Sequence, residues 1–353
     1  MVSSRIKRRK RWFALAAIWL GFAISIFLCE AGLRVYVASR GWTPNCYATG
    51  LSFFVPDKKA GHTLRPNLRL RSSTYEVETN SFGLRGRSIE KQKPDDVYRI
   101  AVLGGSSVFG YLVPQHQDSC CVLEQLLRDQ GIPDGKKAEV LNGGVPGFNM
   151  TQVKHRYEQT IAPLSPDLVI LYLGWNDSKL AIAKSPESIN KTPPAPSWAQ
   201  RFLSQSTLYG LIRFRLFPAD TPQFAPPADA STKITKEGAK AFRNDLHDLL
   251  AAINRSDAQP VISTQLMAAN PDCDNLGLYL GQTPQQIETN QKIGRWITQT
   301  MRDVAEESQT PLFDIAKNVS CQPDLLGDAI HLTREGHRQV ADSWANDLAE
   351  LLP

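Results

Sequence analysis

Several familiar signatures are missing from this chain of 353 residues. No pair among its six cysteines has the spacing of a zinc site. Its glycine-rich turn at 104–110 lacks the lysine of a P-loop and the spacing of a dinucleotide fingerprint. No internal repeat is visible, which argues against a solenoid or propeller. Acidic side chains are absent from residues 1–11, which carry six of the 40 basic residues. The other 34 basic residues face 35 acidic ones, so the rest of the chain has no overall charge bias toward nucleic acid, and no nucleic-acid partner is expected.

Charge is missing altogether from Trp12–Cys29, a run of 18 residues. As a helix it spans about 27 Å, close to the hydrocarbon thickness of a bilayer. The basic flank before it favours a cytoplasmic N-terminus, leaving the bulk of the chain outside the cytoplasm, in the periplasm or at the cell surface. A cleaved signal peptide competes with this reading, although its apolar region is usually shorter. Cys29 lies inside the run. The other five cysteines (Cys46, Cys120, Cys121, Cys273, Cys321) then meet an oxidising compartment, and an odd number leaves at least one thiol free or paired with another chain.

The expected organisation is a basic tail at 1–11, a membrane anchor and juxtamembrane segment at 12–38, and an extension at 39–97 packed on a main domain at 98–353. The extension is rich in Pro and Gly, with only short extended pieces at Leu68–Arg71 and Thr74–Glu78. From Tyr98 strands and helices alternate. Strands are expected at Arg99–Gly104, Glu139–Asn142, Leu168–Gly174, Pro260–Leu266 and Pro311–Ile315. Helices are expected at Ser119–Gln130, Thr151–Ile161, Lys233–Ile253, Gln285–Glu307 and Thr333–Leu352, the last capped by Thr333. This rhythm predicts an α/β fold: a five-stranded parallel, flavodoxin-like sheet in the order 2-1-3-4-5, sandwiched between helices. A proline-flanked insertion at about 178–232 interrupts it. Within the insertion, Ser197–Phe217 reads as one helix, either packed on the domain surface or serving as a lid or membrane-touching element.

Four short segments carry the chemistry. Gly104–Gly110 follows the first strand and can present Ser106 at a helix start, or form an ordinary turn or anion-binding loop. Asn142–Gly147 follows the second strand and can turn a backbone N–H, at Gly147, toward a substrate oxygen, or be a plain turn. Gly174-Trp175-Asn176-Asp177 follows the third strand. There the Asn176 amide is a neutral donor suited to an oxyanion, or a capping residue. Asp328-Ala329-Ile330-His331 precedes the last helix; a carboxylate three residues before a histidine can hold the imidazole in one tautomer, or merely cap. His337, inside that helix, reads as a surface residue, and Asp314 as structural.

Taken together and in this order, the segments resemble the GDSL/SGNH hydrolase superfamily over about residues 98–353. Ser106 and Gly110 match the family's Gly-Asp-Ser turn, Gly147 and Asn176 its oxyanion residues, and Asp328 and His331 its Asp-x-x-His. One position departs, because the family's first-block aspartate is Gly105 here. The segment Asn80–Gly86 is similar to one in membrane-anchored bacterial members. The resemblance implies a serine ester hydrolase with the triad Ser106, His331 and Asp328, an oxyanion hole at Ser106, Gly147 and Asn176, and no metal or organic cofactor. The implied substrate is a carbohydrate or lipid ester, with acetyl esters first. An O-acyltransferase with the same machinery, and a non-catalytic membrane-tethered assembly protein, are the alternatives. Cys273 and Cys321 follow neighbouring strands and are expected to pair.

Overall fold

The computed structural model describes residues 2–47, 53–73, 75–111, 113–182, 197–216, 233–270, 273, 278–279, 282–322 and 324–352. Most of the proline-rich ends of the insertion lie outside these residues. The chain forms two compact units. One draws on Met1–Phe53, Leu70–Ser73 and Pro196–Thr221, the other on Phe54–Arg69, Thr74–Ala195 and Pro222–Pro353.

The larger unit is built on a five-stranded sheet. Its strands are β1 (Val97–Gly104), β2 (Lys137–Asn142), β3 (Leu168–Tyr172), β4 (Gln259–Ser263) and β5 (Leu312–Phe313). They run parallel in the order β2-β1-β3-β4-β5, the expected 2-1-3-4-5. Every residue of β3 is buried, as its unbroken apolar run requires of a central strand. β5 is shorter than expected. Asp314 leaves the strand conformation to accept from Thr264 Oγ1 at 2.9 Å and from Arg302 Nε at 2.9 Å, and a helical turn, Ile315–Asn318, begins beside it.

In the smaller unit α1 spans Val2–Ser39, longer than the uncharged run alone. The larger unit's helices are α2 (Ser106–Phe109), α3 (Ser119–Gln130) and α4 (Met150–Arg156). In the insertion, the single helix expected at Ser197–Phe217 is two, α5 (Trp198–Leu203) and α6 (Thr207–Leu216). Three long amphipathic helices follow: α7 (Lys236–Asn254), α8 (Pro284–Glu307) and α9 (Arg334–Leu351). Side chains fix their starts. Asp118 caps α3, an Asn149–Gln152 capping box opens α4, Thr283–Gln286 opens α8, and Thr333 caps α9 as expected. The helices sandwich the sheet, with α3 packed against α9, and α7 against α4 and α8. Trp344 of α9 lies edge-on to Tyr172 at 5.3 Å and donates its indole N–H to Ser263 Oγ at 2.9 Å.

Two buried arginines stitch the extension to this core. Arg156 of α4 donates to Gly143 O at 3.0 Å, Thr63 Oγ1 at 2.9 Å and Gly83 O at 2.8 Å; burial pulls its guanidinium down to about 10. Arg85, from the Asn80–Gly86 segment, reaches into the turn after β1. The expected Cys273–Cys321 disulfide is present, with Cα atoms 5.2 Å apart.

Candidate active site

The four segments converge above the carboxyl ends of the strands, where doubly wound sheets place their ligands. β1 ends at Gly104, and Ser106 opens α2 one residue later, half-buried. His331 is buried at 2% exposure. Its Nε2 lies 2.7 Å from Ser106 Oγ and its Nδ1 2.6 Å from Asp328 Oδ2. Asp328 Oδ1 accepts the backbone N–H groups of Ile330 at 3.0 Å and His331 at 2.8 Å, so the loop's own backbone orients the carboxylate. Burial pushes the Asp328 carboxyl up. The hydrogen bond and charge of His331, with the two backbone donors, outweigh that and hold it below the ordinary range.

The neighbouring hydroxyl is committed elsewhere. Ser107 is buried and donates to Ile330 O at 2.9 Å, pinning the histidine loop to α2. Of two adjacent serines, Ser106 alone faces the imidazole.

Asn176 sits in a single helical turn after β3 and donates Nδ2–H to Phe148 O at 2.8 Å. That bond ties it to the loop that carries Gly147. A side chain at Gly105 would bring its Cβ within 2.4 Å of Asn176 Nδ2. In this chain the Asn176 amide lies against the bare backbone of Gly105, so the two loops meet at this point. A second close approach joins the loops, since a Cβ at Gly144 would fall 2.3 Å from Phe109 N in α2. The second loop therefore rests directly on the backbone of the helix that presents Ser106.

A cleft of about 230 Å³ opens at this point, lined by Gly105, Ser106, Phe148, Trp175, Asn176, Gln265 and Ile330 among others. Several contributors carry no signal in the sequence. Gln265, beyond β4, accepts the Trp175 N–H at 3.1 Å and fixes the turn that holds Asn176. The Tyr111 ring lies 4.9 Å from the His331 ring. Arg85 is buried and donates to three carbonyls at and just after the end of α2: Phe109 O at 2.7 Å, Gly110 O at 2.6 Å and Val113 O at 2.8 Å. Its arginine type and glycine-flanked setting were visible, but not its partners. His62 of the extension sits 3.2 Å from Pro146 O and packs its ring on Phe148 at 5.2 Å.

His337 corrects the sequence reading. It is not on the surface but fully buried in the first turn of α9, where its Nδ1 accepts the Ser119 N–H at 3.1 Å; burial pulls it down to about 4. The adjacent Gly336 explains the packing. A Cβ there would lie 2.0 Å from Leu325 O, so this face of α9 presses against the chain rather than solvent.

The fold is a flavodoxin-like α/β sandwich with Ser106, His331 and Asp328 hydrogen-bonded in series at the strand ends. The sequence profile of the GDSL-like lipase/acylhydrolase family matches residues 102–339, and the chain belongs to that family. No curated protein matches it in sequence. Among solved structures it is similar to a lipase/acylhydrolase from Enterococcus faecalis, with 16% identity over 72% of this chain and 97% of that one and a TM-score of 0.45. An acetylxylan esterase from Geobacillus stearothermophilus shares 14% identity over 71% of this chain and 94% of its own, with a TM-score of 0.42. A GDSL-like lipase from Bacteroides thetaiotaomicron shares 12% over 75% and 93%, also with a TM-score of 0.42.

Proposed function

We propose that the protein is a membrane-anchored serine ester hydrolase whose larger unit acts outside the cytoplasm on short acyl esters. The observation that carries this reading is the hydrogen-bonded series Asp328–His331–Ser106 at the edge of an open cleft. A serine hydroxyl is a weak nucleophile until a base takes its proton, and His331 Nε2 is within reach of it.

In the first step His331 takes the Ser106 proton as Oγ bonds to the ester carbonyl carbon. The charge that develops on the carbonyl oxygen is met by the N–H groups of Ser106 and Gly147 and by the Asn176 amide. One amide hydrogen of Asn176 goes to Phe148 O, which leaves the second for the substrate. His331 returns its proton to the departing alkoxide as the ester C–O bond breaks, leaving an acyl-serine and the free alcohol. Water then attacks the acyl-serine, giving its proton to His331. The carboxylic acid leaves and Ser106 recovers its proton. Asp328 stays ionised throughout and holds the imidazolium.

The cleft beside Ser106 is small and walled by Phe148, Trp175 and Ile330, which favours acetyl and other short acyl groups. The extracytoplasmic placement rests on the basic residues before the uncharged run and on the Cys273–Cys321 disulfide. Hydrolysis of p-nitrophenyl acetate by the full chain in detergent, with loss of activity on fluorophosphonate labelling of Ser106, tests the assignment. Absence of both hydrolysis and labelling overturns it.

A further inference from the structure

We propose that α5 and α6 lie in the membrane interface at the C-terminal end of α1, with their apolar side chains among the lipids and their arginines at anionic headgroups. The inference rests on reading α1 as a retained membrane anchor.

The depth is set by one residue. Glu30 directly follows the uncharged run that ends at Cys29. Its Oε1 accepts the Thr207 N–H at 3.0 Å, and its Oε2 accepts Ser206 Oγ–H and the Leu208 N–H, both at 2.8 Å. A side chain of α1 thus supplies the N-terminal cap of α6. Arg34, one turn further along α1, pairs with Glu30 at 2.6 Å and donates to Gln205 O at 2.9 Å. Thr207 Oγ1 donates to Pro44 O at 2.8 Å, and Gly210 packs on Tyr47 so closely that a Cβ would lie 3.2 Å from its carbonyl oxygen. The start of α6 and the segment joining it to α5 are therefore fixed at the level where the uncharged part of α1 ends.

That level coincides with the headgroup region, which is several ångströms deep on each side of the hydrocarbon. α5 has six residues and rises about 9 Å, so it stays within reach of this layer. The side chains suit the place. Trp198 and Phe202 are four residues apart and 82% and 70% exposed. Ile212, Phe214 and Leu216 are exposed on α6. Such a density of large exposed apolar side chains is unusual on a surface that meets only water. Among residues 197–216 there are three arginines, Arg201, Arg213 and Arg215, and no acid, the charge pattern of a helix that meets anionic lipid.

The test places p-benzoylphenylalanine, one position at a time, at Phe202, Phe214, Trp19 and Gln92 of the full chain. Each protein is reconstituted in vesicles of phosphatidylcholine and radiolabelled phosphatidylglycerol, with p-nitrophenyl acetate hydrolysis as the check on folding. Irradiation is expected to transfer label to positions 202 and 214 at yields comparable to position 19, with none at 92. Arg213→Gln with Arg215→Gln should lower the yield at 214 several-fold and leave that at 19 unchanged. Label at 19 with none at 202 or 214 overturns the proposal while leaving the anchor in place. Cross-linking of 202 or 214 to a second copy overturns it in favour of a protein interface. Loss of label at 19 as well removes the anchor reading itself.

Discussion

Asn176 and Gly105 are in such close approach that the amide of one fills the space a side chain on the other would take, 2.4 Å from an ideal Cβ. Gly105→Ala should displace the amide and remove one oxyanion donor. The expected cost is on the order of 100-fold in kcat, with KM little changed, as for the loss of a single oxyanion donor. A kcat for Gly105→Ala within a factor of about two of the parent enzyme sinks the oxyanion role of Asn176.

Ser106, His331 and Asp328 are expected to act as a unit. Ser106→Ala and His331→Ala should each remove nearly all turnover, and the double variant should be little worse than either, because members of a triad are strongly non-additive. Asp328→Asn should keep the fold and lose a large part of kcat by releasing the imidazole from its tautomer. Mass spectrometry after fluorophosphonate treatment should find the adduct on Ser106. An adduct on Ser107 contradicts the observation that its hydroxyl is spent on Ile330 O.

Arg85 is expected to be a positioning residue for α2. In Arg85→Ala the carbonyls of Phe109, Gly110 and Val113 lose a shared buried donor. Breaking such a buried charged site costs on the order of 3–5 kcal/mol, a large part of a domain's net stability. Arg85→Lys, which keeps a charge but not the planar fork, should recover stability in part. In partly recovered protein, kcat should fall more than KM rises, since Ser106 begins the helix whose far end Arg85 holds. A melting temperature for Arg85→Ala equal to that of the parent chain refutes this.

Burial drives the Asp177 carboxyl up to about 8, against the lowering effect of the Met150 N–H it accepts. An unfolded aspartate ionises near pH 4. Between about pH 4 and pH 8 the folded chain therefore holds a proton the unfolded chain has released, and stability falls as pH rises through that window. The slope from this one group is on the order of 1 kcal/mol per pH unit at most. Asp177→Asn should lose that slope. Melting temperatures in detergent at pH 5.5 and 8.5 check it: the parent chain should lose more on going to the higher pH than the variant does. Parallel losses in both proteins exclude Asp177 as the source.

The strand order was legible because β3 is an unbroken apolar run and the loops after β1 and β2 each open on glycine. Ser106 and Asn176 were legible because each lies just beyond a strand, and His331 because it follows Asp328 by three residues just before the last helix. Arg85, Gln265 and Tyr111 were not. Their contacts are to backbone carbonyls, a backbone N–H and a ring, partners that leave no pattern in the sequence. His337 was misread because helical position says which way a side chain points only once the neighbouring chain is known. Here Leu325 lies against the first turn of α9. The break between α5 and α6 was partly hidden, because Glu30, far away in the chain, joins Ser206 in capping α6.

The two arginine stitches also bear on the order in which this protein can be made. Synthesis delivers the N-terminal part of a chain first. The hairpin at 54–64 and the Asn80–Gly86 segment emerge before the core residues they bind. The hairpin waits for Arg156, and Arg85 waits for the carbonyls of Phe109, Gly110 and Val113. The hairpin can pair within itself as it emerges, but the stitches to the sheet close only once residues through Arg156 have been made. Such long-range closure makes folding slow and leaves the extension as the segment most in need of protection while it waits.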